Sequence, residues 1–187
     1  MCKSMNLKHV LATIPQVREW VEATLAQQQA QARPVASFGF PRLPQYFSPE
    51  TLAGTFVVEL PRVPVPPLVE MGLPEFMEFQ KVACEGITYL DTYFVRMDKR
   101  LDEALHFHEL VHVLQWRHLG PDQFLAAYAV NHLLAAGYER NLLEVMAYHF
   151  QAQFSAGELN GNVESLIRGQ IDRHIAPLLG RALSLGR

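Results

Sequence analysis

Two histidines one helical turn apart, with a glutamate directly after the first, are the residues of this sequence best suited to catalysis. They lie in the stretch HFHELVH, residues 106–112. In a helix, His108 and His112 lie on one face about 40° apart, so both imidazoles can bind a single ion. Zinc binds imidazole nitrogens at about 2.0–2.1 Å, and three protein ligands leave its fourth tetrahedral position open for water. The pattern therefore predicts that His108 and His112 bind Zn²⁺.

Glu109 is predicted to be the general base of this site. It lies about 100° around the helix from His108, beside the metal face rather than on it. Zinc lowers the pKa of bound water to about 7, and a carboxylate in this position can take its proton during attack on a carbonyl. The remaining helix positions fit this orientation, because the apolar ones fall opposite the histidines. These apolar residues are Phe107, Leu110, Val113 and Leu114.

The motif and its apolar helix resemble the active-site helix of the zincin metallopeptidases. The resemblance covers about residues 86–152 and does not extend to residues 1–85. In zincins an edge strand usually precedes the active-site helix and lines the substrate cleft. The resemblance therefore implies that residues 86–95 form such a strand.

Two residues are candidates for the third zinc ligand. In the gluzincin branch that ligand is a glutamate on a downstream helix, often followed three positions later by a small residue, which fits Glu144 and Ala147. In the metzincin branch it is a histidine ten residues after the first, which fits His118. That pattern needs a glycine where this sequence has Gln115. If the helix continues to residue 119, His118 also points about 120° away and lies ~9 Å along the axis. Glu144 is therefore favoured.

Other polar residues are candidates for supporting roles. Tyr148 follows Glu144 by one turn on the same face, where it would donate to the oxyanion, donate to a ligand, or pack between helices. Gln115 lies on the metal face one turn past His112 and is a candidate for orienting a ligand, and Asn141 and Arg140 are weaker candidates. The histidines predicted to be structural are His106 and His149.

The elements that position these residues are mostly helices. The prolines concentrated in residues 34–74 exclude a long helix there and favour a surface wrap with one strand at 55–60. A second strand is predicted at 86–95. Helices are predicted at 15–32, 73–82, 102–119, 123–136, 139–156 and 163–179. The fold class is α+β, predominantly helical, with residues 1–85 as an N-terminal helix and wrap of the same domain and residues 86–187 as the metal-binding core.

Composition limits the functions that fit. A chain of 187 residues with 49 % apolar residues suits one domain with a sizeable core. The net charge of −3 and the lack of a basic run favour neither nucleic acid nor an anionic membrane as partner. Two cysteines and no signal-peptide run favour a reducing, cytoplasmic location. The oligomeric state is not determined by the sequence.

The sequence therefore predicts a zinc metallopeptidase of gluzincin type that acts on a peptide or protein substrate. The first alternative is a zinc-binding interaction or regulatory protein with weak or no peptidase activity. The second is a helical protein that binds a partner and in which the histidines hold no metal. Metal content separates the second alternative from the other two.

Overall fold

The helix that carries the two histidines lies at the centre of the fold. The computed structural model describes residues 7–81, 83–135 and 140–185, and in it this helix, α4, spans Glu103–Leu119. Asp102 caps it by accepting hydrogen bonds from the backbone N–H groups of the first turn. Gly120 follows its last residue with a positive φ of 75°. Residues 105–116 are buried without interruption, so α4 is enclosed on every side rather than along one apolar face.

A four-stranded mixed sheet packs against α4. Its strands are β1 (Arg33–Pro34), β2 (Phe56–Leu60), β3 (Gly86–Tyr89) and β4 (Thr92–Arg96), in the spatial order β1-β2-β4-β3. β2 and β4 run parallel, and the other two neighbouring pairs are antiparallel. The middle residues of the two central strands, Val57, Val58 and Tyr93 to Val95, are wholly buried, whereas the strand ends are partly exposed. β3 lies at the edge of the sheet and contacts α4.

The prediction of a single strand over residues 86–95 was wrong, because two strands occupy this stretch. The structure divides it into β3 and β4, which are joined by a tight turn at Leu90 and Asp91. Leu90 has a φ of 56°, a conformation that is rare for a residue with a Cβ. Turns of this kind usually contain Gly or Asn, and because neither is present here, the sequence does not indicate the turn. Arg117 of α4 donates a hydrogen bond to the Asp91 carboxylate and thereby fixes the turn through tertiary structure.

The first helix, α1, spans Leu7–Gln28 and contains Pro15 in its interior. The sequence predicted a helix over residues 15–32, because proline suits the first helical position, but the helix begins before Pro15 and gives way to a 3-10 turn after Gln28. The buried positions of α1 nevertheless continue at helical spacing on both sides of the proline, and Pro15 itself is exposed. Burial of this stripe outweighs the roughly 3 kcal/mol that an interior proline costs.

The remaining helices are α2 (Pro49–Ala53), α3 (Met77–Lys81), α5 (Pro121–Ala135), α6 (Leu142–Ala156), α7 (Glu164–His174) and α8 (Ala176–Leu185). The sequence did not predict the short helix α2, and the others follow the predicted order. The helix predicted over 163–179 is two helices that separate at Ile175, because Pro177 cannot donate to the preceding turn. The predicted end of α5 at 136 and start of α6 at 139 lie outside the described residues.

Two glutamates attach the proline-rich segment to helix N-termini. The Glu103 carboxylate accepts hydrogen bonds from the backbone N–H groups of Arg42 and Leu43. The Glu164 carboxylate accepts one from the backbone N–H of Ser48. Both glutamates occupy the first position of their helix, where a negative charge also interacts favourably with the helix dipole.

The structure is a single domain of the α+β class, predominantly helical, as predicted. Its main core combines buried residues from both sides of position 85, and the boundary proposed there stays a prediction. A smaller apolar cluster joins α1 to residues 68–79. None of the described helices has both the length and the apolar character needed to cross a membrane.

We expect the contribution of Glu164 to stability to depend on pH. Burial opposes its charge, but the Ser48 N–H and the Ser48 and Thr51 hydroxyls hold its pKa below the usual range. Because the folded-state pKa is lowered, the stabilisation is present above the unfolded pKa of about 4.3 and is lost as pH falls through the folded value. In urea unfolding at pH 7, the free energy of unfolding of Glu164→Gln should be about 1–2 kcal/mol lower than that of wild type.

The same experiment at lower pH provides the check. The difference between wild type and Glu164→Gln should shrink as pH falls below about 4.3. The exposed Glu158→Gln should match wild type at every pH. A destabilisation of Glu164→Gln that stays constant between pH 7 and pH 3 would contradict the assignment.

Candidate metal centre

Three side chains from two helices meet at one buried point. The Nε2 atoms of His108 and His112 lie 3.0 Å apart, and Glu144 Oε2 lies 3.7 Å from the first and 3.5 Å from the second. In a tetrahedral zinc site with bonds of about 2.0–2.1 Å, neighbouring ligand atoms stand about 3.4 Å apart. The triangle is therefore of a size that one shared metal ion could fit.

Two glutamines fix the orientation of the imidazole rings. Gln115 donates through Nε2 to the Leu143 carbonyl, 3.0 Å away, so its Oε1 accepts from His112 Nδ1 at 2.8 Å. Gln151 Oε1 lies 3.0 Å from His108 Nδ1 and accepts from it in the same way. Both rings then carry their proton on Nδ1 and direct the Nε2 lone pair towards the shared point. Partners of this kind are typical around metal-bound histidines.

The electrostatics of the cluster favour a cation. Glu144 Oε2 is buried and accepts no hydrogen bond from any residue that the structure describes. Burial disfavours a charged His112, but the negative charge of Glu144 outweighs it and raises the pKa of His112 to about 9. Burial also disfavours a charged Glu144, but His112 and His108 hold its pKa well below the usual range. The carboxylate is therefore negative, and a positive charge beside it is stabilised.

The other carboxylate oxygen of Glu144 is held by a residue from a third helix. Tyr128 of α5 donates its hydroxyl to Glu144 Oε1 at 2.9 Å. This bond restrains the carboxylate so that Oε2 faces the histidines. Asn141 caps α6 and also donates to the Tyr128 carbonyl, so it fixes the α5–α6 junction.

Close packing of α6 on α4 brings Glu144 to the histidines. Ala147, one turn after Glu144, is wholly buried between core residues, as the small-residue spacing implied. Gln115 joins the two helices through the Leu143 carbonyl. The sequence-predicted set of His108, His112 and Glu144 is therefore brought together by α4 and α6.

Glu109 lies beside the cluster and faces β3. Its Oε2 accepts a hydrogen bond of 2.6 Å from the Thr88 hydroxyl, and its Oε1 lies against Gly86. A Cβ at position 86 would come within 2.3 Å of that oxygen, so the carboxylate occupies space that only a glycine leaves open. Burial raises the pKa of Glu109, while the two histidines act in the opposite direction.

The aromatic ring of Tyr148 packs against the cluster. It is half-exposed, and its ring centroid lies 4.5 Å from that of His108. The tyrosine thus packs on a predicted ligand at the solvent side of α6. Its predicted role as a hydrogen-bond donor to an oxyanion stays a prediction.

The other histidines considered lie outside the cluster. His118 Nε2 lies 2.7 Å from the Asp172 carboxylate on α7, so it does not serve as the third ligand. His106 is wholly buried, and its Nδ1 and Nε2 are hydrogen-bonded to the Tyr93 hydroxyl and the Arg100 carbonyl. Exposed His149 has a ring contact with its neighbour Phe150. Arg140, a weaker candidate, is exposed.

Four residues of the site were not predicted from the sequence: Gly86, Thr88, Tyr128 and Gln151. Tyr128 offered a weak signal, since it is the only hydroxyl-bearing side chain in α5. Gly86 and Thr88 begin a strand whose register on α4 is set by tertiary structure. That register is fixed in part by Trp116, which donates its indole N–H to the Thr88 carbonyl at 3.1 Å.

Comparisons with known protein families, curated proteins and solved structures give no match to this chain. The function of the site must therefore be inferred from its geometry.

We expect the purified protein to bind one Zn²⁺ per chain, and Glu144→Ala to bind it far more weakly. Removal of a partner that only supports a ligand costs about 10–100-fold in metal affinity, so removal of a ligand should cost at least about 100-fold. Competition with a chromophoric chelator measures the affinity. Glu158→Ala, an exposed glutamate just after the same helix, is the control and should equal wild type. Equal affinity of Glu144→Ala and wild type would remove Glu144 from the ligand set.

Proposed function

We propose that this protein is a zinc-dependent metallopeptidase of gluzincin type. The observation that carries the proposal is the convergence of His108, His112 and Glu144 on one point, with Glu109 in the wall of the same cavity. This donor set of two imidazoles and one carboxylate is a known arrangement of catalytic zinc, which keeps one position open. Bound zinc would supply a Lewis acid that polarises the scissile carbonyl and acidifies water.

Glu109 is proposed to move the protons of the reaction. Its raised pKa brings the carboxylate closer to the working pH, where a general base is most effective. The Thr88 hydroxyl donates to one oxygen of Glu109, and the other oxygen, next to Gly86, is proposed to accept the proton from water. Glu109 would then return this proton to the amine that leaves.

A peptide or protein is the proposed substrate. β3 is an edge strand that lies directly beside Glu109, and an extended peptide can bind such an edge through backbone hydrogen bonds. Tyr148 is proposed as the donor to the oxyanion, because it is half-exposed and its ring contacts His108. We further propose a cytoplasmic location, since Cys84 is a free thiol and the sequence offers no disulfide framework.

One observation favours a second candidate, a zinc-binding interaction or regulatory protein. Glu109 and the three predicted ligands are each only 3–6 % exposed. Such burial is also typical of structural zinc sites, which are closed to substrate. In that case Glu109 would be a buried residue held by Thr88 and would have no catalytic part.

Glu109→Gln separates the two candidates. In a hydrolase the amide cannot accept the proton, so kcat should fall by at least about 100-fold, within the range of general-base effects. Zinc content should stay at one per chain, because Glu109 is not a ligand. The measurement is cleavage of a peptide library, read by mass spectrometry, alongside metal analysis. Equal cleavage by wild type and Glu109→Gln would contradict the role of Glu109, and absence of cleavage in zinc-loaded wild type would favour the second candidate.

Gly86→Ala tests the position of Glu109 without changing its chemistry. The added methyl group would overlap Glu109 Oε1, and the flexible carboxylate is the group that has to shift. A displacement of about 1 Å in a catalytic group can cost on the order of 100-fold in rate. We expect kcat to fall while zinc affinity stays unchanged.

Gly169→Ala is the matched control for this variant. A Cβ at position 169 meets no atom within 4 Å, so this variant should have wild-type activity. Wild-type kcat in Gly86→Ala would show that the contact between Gly86 and Glu109 does not position the base.

A further inference from the structure

An apolar cavity leads from the cluster into the space between α1 and α5. Its volume is about 110 Å³. One part of its wall is polar and consists of Thr88, Glu109 and the predicted zinc ligands. The rest is almost entirely apolar, with valines of α1, aromatic residues near α3, and side chains of α5.

About half of the apolar wall comes from residues 10–79. Val10, Val17 and Val21 of α1 line one side, and Phe76 and Phe79 line another. These residues also form the smaller apolar cluster, apart from Val21, which belongs to the main core. The N-terminal part of the chain therefore does more than wrap the metal-binding core, since it shapes the space in front of the site.

The size and chemistry of the cavity limit what it would bind. An apolar cavity of about 150 Å³ accommodates benzene and stays free of water. A cavity of 110 Å³ therefore suits an apolar group of about four to six carbons. A charged group would lose its hydration there with little to replace it, because the other polar groups of the wall are the Cys84 thiol and two tyrosine hydroxyls that already donate to the Pro64 carbonyl and to Glu144.

We propose that this cavity is a specificity pocket that receives one leucine-sized apolar side chain next to the scissile bond, with α1 and residues 76–79 as its walls. The inference rests on the proposed function, because it takes the neighbouring cluster as the reaction centre. It assigns to residues 10–79 the choice of substrate and leaves the reaction chemistry to α4 and α6.

Two hydroxamates that differ only in their apolar part test the pocket without any need for turnover. Acetohydroxamic acid and 4-methylpentanohydroxamic acid are titrated calorimetrically into the zinc-loaded full chain. The second has four more carbons, and each fully buried CH₂ contributes roughly a four-fold gain in affinity. We therefore expect it to bind at least ~10-fold more tightly.

Ala129→Leu is the variant that should remove this preference. Ala129 lines the cavity on α5, and a larger side chain there would fill the space. The affinity ratio should fall below about three-fold, while acetohydroxamic acid binds as to wild type. Ile14→Phe, on the α1 wall, should have the same effect and serves if Ala129→Leu does not fold. Ala26→Leu, exposed near the end of α1, should keep the wild-type ratio.

A second measurement needs no metal. Benzene should bind saturably to the metal-free chain and raise its Tm, and it should do so for Ala26→Leu but not for Ala129→Leu. Equal affinity of zinc-loaded wild type for the two hydroxamates, or no saturable binding of benzene, would overturn the pocket and leave the hydrolase proposal standing. A chain that binds benzene but retains no zinc would overturn the hydrolase proposal instead.

Discussion

Two imidazole nitrogens and a carboxylate oxygen, each with a lone pair directed at the same buried point, repel one another unless a cation lies between them. This constraint governs the centre of the molecule. The Nε2 atoms of His108 and His112 stand 3.0 Å apart, and Glu144 Oε2 is close to both. A proton relieves the repulsion in part, as the raised pKa of His112 indicates. A divalent ion relieves it for all three atoms at once, because it accepts every lone pair.

The residues around the cluster hold its three side chains in this unfavourable arrangement. The two glutamines Gln115 and Gln151 direct the imidazole lone pairs inward, and Tyr128 holds the far oxygen of Glu144. Each of these bonds fixes a ligand from behind, which prevents the side chains from turning away to find partners of their own. Preorganisation of this kind lowers the free energy needed to assemble a metal site.

The sequence predicted those features of the site that depend on one helix or on helix packing, and it missed those that depend on the register between the sheet and α4. The i, i+4 spacing of His108 and His112 is a property of one helix, so the sequence predicted it directly. Glu144 required two helices to pack closely, which the small residue Ala147 indicated. Thr88 and Gly86 could not be predicted, because they reach Glu109 only through the register of β3 on α4. The hairpin turn at Leu90 was missed for a similar reason, since Arg117 and not a turn residue stabilises it.

The position of Glu109 shows how the sheet and α4 depend on each other. A carboxylate that is 3 % exposed is costly to bury as an anion, and a single strong hydrogen bond from Thr88 offsets only part of that cost. The carboxylate also needs the space above Gly86, so a side chain at the start of β3 would exclude it. The two neighbouring histidines lower the pKa of Glu109 and so offset a further part of this cost. If the histidines bind a cation and Glu109 is the base, as proposed, the two form a single electrostatic unit, because the cation would add to the attraction that keeps Glu109 charged.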